Sequence, residues 1–319
     1  MIKRILLPLA AALSLGCLQV SAQAIKALDN DQYSISAGDV TLTVDAAKGA
    51  KILSFQCNGK EVLSQNQRPN AFGSTFWTSP QVEWNWPPVP EYDSRPYTAA
   101  QRDGALILTG QTSEKFKYHI TKEFRTDPAD GAIVVTYSIT NDAAVERKVA
   151  PWEISRVNNG GVIFFDAPSE TITPQGLMPF SFEYGATWYE CDEARANRKI
   201  NADGTGWYAY ANDGLLFIKR FPDLGPTCPA PKEAEIQVYV NAGKTYIELE
   251  AQGRYTSLKP GESVSWTSRW YLLPQDCGDY PSADLMKLAE SVKYGGNQMR
   301  KAAIKGRFSF SLIQTEPYK

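Results

Sequence analysis

An all-β fold of two large packed sheets, carrying one short C-terminal helix, is what this sequence predicts. Three observations predict it. Apolar and polar side chains alternate with period two through many short runs, as in Val40-Thr41-Leu42-Thr43-Val44, the mark of half-buried strands. Clusters of Gly, Asn, Asp and Pro punctuate those runs at short intervals, as the turns of a sandwich do. One stretch, 283–292, carries the 3.6-residue stripe of a helix.

Taken in order, 40–44 opens the series, and 51–63 reads as two strands around the hairpin turn Asn58-Gly59. Residues 72–97, FGSTFWTSPQVEWNWPPVPEYDSRPY, hold three of the eight tryptophans and five of the twenty prolines. Each proline removes a backbone donor and fixes φ, so the stretch is expected to be a long, stiff loop. Strands follow at 105–108, 117–125 and 132–140, the last two joined by Asp127-Pro128-Ala129-Asp130-Gly131. Further runs stand at 148–157, 161–165, 206–210 and 215–221, then, past the Pro-rich 222–231, at 233–240, 245–251 and 263–272. About fifteen strands exceed what an immunoglobulin-size sandwich holds. Ser282 can cap the helix, and Leu285, Leu288, Ala289 and Val292 form its apolar stripe before Gly295-Gly296. Alternating Phe308, Phe310 and Leu312 predict a last strand.

The N-terminus reads as a leader. Lys3 and Arg4 precede the apolar run 5–18, and Val20-Ser21-Ala22 fits a small-x-small cleavage site. The expected organisation is a signal peptide over 1–22 and one β-sandwich domain over 23–319, in an exported, periplasmic or secreted protein. A lipoprotein anchored at Cys17 ranks second, because Ser14 stands where such signals carry a large aliphatic residue. No other run approaches the ~18 apolar residues that span a bilayer, so membrane insertion of the mature chain is not expected. The chain has 33 basic and 35 acidic residues, two of the basic ones in the leader, and this acidic balance disfavours nucleic acid as a partner. Cys57, Cys191, Cys228 and Cys277 remain beyond the leader, enough for two disulfides in any of three pairings. Their spacing matches no zinc motif. No phosphate loop or dinucleotide motif is present, so neither cofactor nor metal is demanded.

Two regions carry candidate chemistry. In the Pro-rich loop, Trp77, Trp84 and Trp86 offer rigid faces for sugar C–H groups. Gln81, Glu83, Glu91, Asp93 and Arg95 offer polar partners for hydroxyls. The alternative is a structural plug closing one end of the sandwich. At 233–251, Glu235, Gln237 and Tyr239 share one strand face, and Tyr246, Glu248 and Glu250 share the matching face of the next strand. A two-residue turn at Ala242-Gly243 would set Tyr239 opposite Tyr246, Gln237 opposite Glu248 and Glu235 opposite Glu250. Carboxylates so placed raise one another's pKa, which suits a general base. The single histidine, His119, lies inside a strand pattern, and no Gly-x-Ser-x-Gly elbow accompanies it. Trp152 and Arg156 share one strand face and Glu153 and Ser155 the other. Read singly, these and Lys199, Trp207, Lys219 and Arg220 are surface or packing residues.

The segments YSISAGDVTLTVDAAKGAKILSFQCNGKEVL, FWTSPQVEWNWPP, GWYAYANDGLLFIKRF and YIELEAQGRYTSLKPGESVSWTSRWYL, in that order, resemble galactose-mutarotase-like proteins. The resemblance covers most of 32–274 and is strongest to an uncharacterised bacterial branch known as a domain of unknown function. It implies a β-supersandwich with a carbohydrate site on its concave sheet. In aldose epimerases of this kind a Glu takes the anomeric proton and a His protonates the ring oxygen. Glu250, followed by Ala251 and Gln252, matches that Glu, but Val149-Ala150-Pro151-Trp152-Glu153 stands where an Asn-His pair is usual.

The expected function is therefore an exported protein that binds or processes a saccharide or oligosaccharide, with no reaction named. Trp77, Gln81, Glu83, Trp84, Trp86, Asp93, Gln237 and Glu248 would bind it, with Glu250 catalytic. Two alternatives are an epimerase-like isomerase or lyase using Glu250 as base, and a non-catalytic interaction module.

Overall fold

The computed structural model describes residues 24–66 and 71–292. The leader expected at 1–22 and the last strand expected around Phe308 lie outside them. The strands of the described residues form two antiparallel sheets. The eleven-stranded sheet runs, from one edge, Ile25–Ala27, Gln32–Ala37, Val40–Asp45, Lys51–Cys57, Ser74–Ser79, Arg147–Asn158, Tyr246–Gln252, Ile236–Val240 and Arg198–Ala202, with Lys60–Glu61 and Thr256–Leu258 as side pairings. The ten-stranded sheet runs Phe180–Glu183, Ala186–Glu190, Val162–Phe165, Trp207–Asn212, Leu215–Arg220, Ser263–Pro274, Ala132–Asn141, Tyr118–Asp127, Ala105–Thr109 and Thr98–Arg102. The strands outnumber those read from the sequence because several edge strands are too short to show a period.

The core lies between the sheets. Phe55 meets Phe217 and Trp270 edge-on at 5.5 and 5.3 Å, and Phe76 stacks on Tyr137 at 4.1 Å. Within it sits a wholly buried ion pair. Lys219 Nζ donates to Glu153 Oε2 at 2.7 Å and to Ser155 Oγ at 2.6 Å, while Tyr137 Oη donates to Glu153 Oε1 at 2.5 Å. Glu153 and Lys219, surface or packing residues by their sequence pattern, form the polar bolt between the sheets. The helix Ala283–Ser291 is capped by Ser282 Oγ, which accepts from Leu285 N at 3.2 Å. Its Leu285 and Ala289 pack with Phe164, Trp188 and Leu216 on the far face of the ten-stranded sheet.

The Pro-rich stretch departs from expectation. Its first residues form Ser74–Ser79, a wholly buried strand in the middle of the eleven-stranded sheet. The irregular path begins only at Pro80, with the single turn Gln81–Glu83 and the short helix Pro90–Asp93. No proline precedes position 80 in that stretch, so nothing there opposes ladder pairing. The four cysteines Cys57, Cys191, Cys228 and Cys277 are all unpaired.

Candidate functional site

Successive strand residues face opposite ways, so the inward Phe76, Glu153 and Leu249 leave Trp77, Trp152 and Glu250 on the outer face of the eleven-stranded sheet. Cross-strand pairing lines these outer residues up in rows. One row is Trp77, Trp152 and Gln252; the next is Thr75, Ile154, Glu250, Gln237 and Asn201; a third is Arg156, Glu248, Tyr239 and Lys199.

The observed register corrects the expected one. Gln237 opposes Glu250 and Tyr239 opposes Glu248, because Asn241 N donates to Tyr246 O at 3.2 Å and the turn spans 242–245 rather than two residues. The slip is by two positions, so every side chain keeps its face. Glu235 leaves the acidic group altogether. It is buried, and its two oxygens accept from Gly206 N at 2.8 Å and Leu224 N at 2.7 Å, tying two loops together. Burial pushes its pKa up to about 8 against the pull of those two bonds.

Glu250 is 1% exposed. Its Oε2 accepts from Trp152 Nε1 at 2.8 Å and from Lys199 Nζ at 2.9 Å, while Oε1 accepts no hydrogen bond among the described residues. Burial raises its pKa; Lys199 opposes that rise and Glu248 adds to it. Lys199 reaches in from the edge strand, with its Nζ 4.8 Å from the centre of the Trp152 ring. Glu248 lies 2.9 Å from Arg156 Nε. The Arg156 guanidinium sits 5.8 Å from the Trp77 ring centre.

Of the other expected contacts, Gln237 is consumed internally. Its Nε2 donates to Asn201 Oδ1 at 2.7 Å and Glu233 Oε2 at 3.0 Å, and its Oε1 accepts from Gln252 Nε2 at 2.9 Å. Gln81 joins the same network through its backbone N, 3.3 Å from Glu233 Oε1. Asp93 Oδ1 accepts from Trp77 Nε1 at 2.9 Å and so fixes that ring. Trp84 donates to Thr78 O at 2.8 Å. Trp77 and Trp84 are both buried, 5.5 Å apart and edge to face, so they are packing residues and not open platforms. Trp86 alone of the three stands out, 60% exposed and 6.3 Å from Trp77. Glu83 is turned toward Arg147 and Tyr255 instead of Glu250, burial raising its pKa while Arg147 lowers it. His119 belongs to the other sheet, its Nδ1 2.6 Å from Asp142 Oδ2.

Trp152, Arg156 and Lys199, read singly as surface or packing, are brought together here. So is Lys51, which sequence reasoning missed; its pKa is lowered to about 8 by burial first and by Arg156 second. Trp152 and Arg156 carried a signal in their shared strand face. Lys199 and Lys51 carried none. Shallow depressions of about 280 and 290 Å³ lie elsewhere, one along 101–105 and one along 169–182. The arrangement is thus a sheet face with one exposed indole, a buried carboxyl with one uncommitted oxygen and a part-exposed ammonium beside it. It can stack an apolar ring face, accept a hydroxyl proton and neutralise the charge formed.

No family model matches the chain, and no curated protein matches it. Solved structures do. It is similar to a candidate aldose 1-epimerase from Klebsiella pneumoniae, with 13% identity, 89% of this chain and 87% of that one covered and a TM-score of 0.55. A galactose mutarotase related enzyme from Lactobacillus acidophilus superposes over 78% of this chain and 100% of its own, at 8% identity and a TM-score of 0.53. A TPR-domain containing protein from Parabacteroides distasonis matches over 84% of this chain and 50% of its own, at 14% identity and a TM-score of 0.57. At these identities the likeness is one of architecture, and it agrees with the resemblance carried by the sequence segments: the chain has the two-sheet fold of galactose-mutarotase-like proteins.

Proposed function

We propose that the outer face of the eleven-stranded sheet binds a saccharide and acts on it through proton transfer at Glu250. The observation that carries this reading is the anchoring of Glu250 through one oxygen by Trp152 and Lys199, which leaves Oε1 for a ligand. Trp86 stacks on a C–H face of the sugar. Glu250 Oε1 takes a hydroxyl proton, at a pKa that burial has moved toward neutrality, where a general base works best. Lys199 holds the geometry and balances the charge, in a site without the histidine of the aldose epimerases. The names of two similar structures, a candidate aldose 1-epimerase and a galactose mutarotase related enzyme, support a sugar as the ligand class.

Isothermal titration against a panel of mono- and oligosaccharides tests the binding step. At least one sugar is expected to bind, with Trp86→Ala and Glu250→Gln both weakening it. A panel without a single binder defeats the reading. The Lys199–Glu250 pair favours one specific reaction, aldose epimerisation with Lys199 in place of the missing acid. Polarimetry on glucose and galactose decides it, since equal rates for wild type and Glu250→Gln exclude Glu250 as the base. The same proposal includes export through the leader over 1–22. N-terminal sequencing of the mature protein is expected to begin at Gln23; retention of Met1 would refute export by cleavage.

A further inference from the structure

Beside the Glu250 group, the outer face holds two buried cations whose donors are not used up. Arg156 is 2% exposed, yet its Nε and Nη1 have no hydrogen-bond partner among the described residues. Lys51 is 6% exposed, and its Nζ donates to no acceptor among the described residues; it rests 4.1 Å from the Phe72 ring centre. Ile52 pairs with Ser74, which puts Lys51 level with Thr75 on the same face as Arg156. Burial first and the Arg156 guanidinium second lower the affinity of Lys51 for its proton.

Buried N–H donors are nearly always satisfied, and a guanidinium is the most demanding of them, with five donors in a fixed fork. The nearby carboxylates do not meet that demand. Asp93 spends Oδ1 on Trp77 and Thr75. Glu248 comes within 2.9 Å of Arg156 Nε but out of hydrogen-bond alignment, so Nε stays unpartnered. Asp93 and Glu248 offset the charge on Lys51, but the directed donors of Arg156 are left for acceptors that these residues do not supply.

We propose that Arg156 and Lys51 form a subsite for an anionic substituent of the saccharide: a carboxylate, sulfate or phosphate carried by the sugar. A planar or tetrahedral oxyanion offers the several acceptor oxygens that a guanidinium and an ammonium together require. It enters from the side of Glu248, which is 17% exposed, by turning that misaligned carboxylate aside. Tyr239 and Tyr246, half-buried on the same face, flank the approach. The substituent then lies one residue row from Glu250, so one ring can meet both. This assignment rests on the saccharide reading above and narrows it to acidic sugars.

Titration calorimetry with galactose, galacturonate, galactose 6-sulfate and galactose 6-phosphate separates the possibilities. At least one acidic sugar is expected to bind tenfold or more tightly than galactose, the effect of about one charge-assisted pair. The identity of the preferred one tells carboxylate from sulfate and phosphate. Arg156→Gln and, separately, Lys51→Met are expected to abolish the preference, read as the ratio of acidic-sugar to galactose affinity within each variant. Far-UV circular dichroism confirms that each variant is folded, and either variant alone suffices. Equal affinity for acidic and neutral sugars overturns the anion subsite and leaves the saccharide reading intact. A preference that survives in both variants also overturns it. Absence of binding by all four sugars, with binders found elsewhere among neutral glycans, overturns the subsite alone.

Discussion

Lys199 Nζ stands 2.9 Å from Glu250 Oε2, across the width of an intervening strand. The lysine is one-third exposed and the carboxylate 1%, so the pair has a wet end and a dry end. Salt reaches the ammonium and hardly touches the carboxylate. The pKa of Glu250 is a contest in which burial wins and Lys199 resists.

Removing Lys199 should therefore raise the Glu250 pKa further. In Lys199→Met, the carboxyl stretch of Glu250 is expected to titrate at higher pH than in wild type, by isotope-edited infrared difference spectroscopy against Glu250→Gln. Saccharide binding that needs the carboxylate should shift its acid limb upward by the same amount. An unchanged or lower midpoint would show that the ion pair does not govern the group.

Trp86 and Trp77 should respond in opposite ways. Trp86→Ala removes an exposed ring and is expected to change stability by no more than about 0.5 kcal/mol, while weakening sugar binding about tenfold. Trp77→Ala empties a buried site and is expected to cost about 3–5 kcal/mol. Urea unfolding and titration calorimetry on both variants separate platform from plug.

Lys122 supplies a pH signature. It is wholly buried, donates to Gly49 O at 2.7 Å and Ala50 O at 3.1 Å, and burial lowers its pKa from 10.5 to about 7. Between pH 7 and 10.5 the unfolded chain binds the proton that the folded chain has released, so stability rises with pH across that window. Below pH 7 both states hold the proton and this contribution levels off. The slope is about 1.4 kcal/mol per pH unit for one proton. Lys51 and Lys219, both lowered to about 8, act in the same sense. Urea midpoints from pH 7 to 9 should climb less steeply in Lys122→Met than in wild type.

The Glu153–Lys219 bolt should be costly to half-remove. Glu153→Gln or Lys219→Met leaves its partner buried and is expected to destabilise by about 3–5 kcal/mol. Replacing both with apolar residues of similar volume should cost less than the sum of the two, because no charge is then stranded. A double-mutant cycle by chemical denaturation measures the difference.

How far the sequence foretold this site can be read residue by residue. Alternation alone placed Glu248 and Glu250 on one face with Tyr239 and Gln237, and the face survived a turn misjudged by two residues because the pleat repeats every second residue. The same misjudgement paired Glu235 with Glu250, whereas Glu235 binds loop amides that local pattern does not reveal. Ser74–Ser79 is not separable by pattern from the Pro-rich loop, since a strand buried on both faces shows no alternation. Lys51 and Arg156 meet only through the sheet order, in which one strand lies between theirs. That order is set by packing over the whole chain.

Asp93 gives the path that leaves the sheet at Pro80 a fixed point of return, for it grips the indole nitrogen of Trp77 sixteen residues back along the chain. The segment between them is thus closed at both ends, like a buckle fastened to the strand that it came from. A sugar that lands on Trp86 meets a surface already set in place and forfeits little freedom in ordering it. Discrimination should then come from the angle at which a ring arrives, and epimers that differ in one axial hydroxyl should be told apart by rate of release more than by rate of capture.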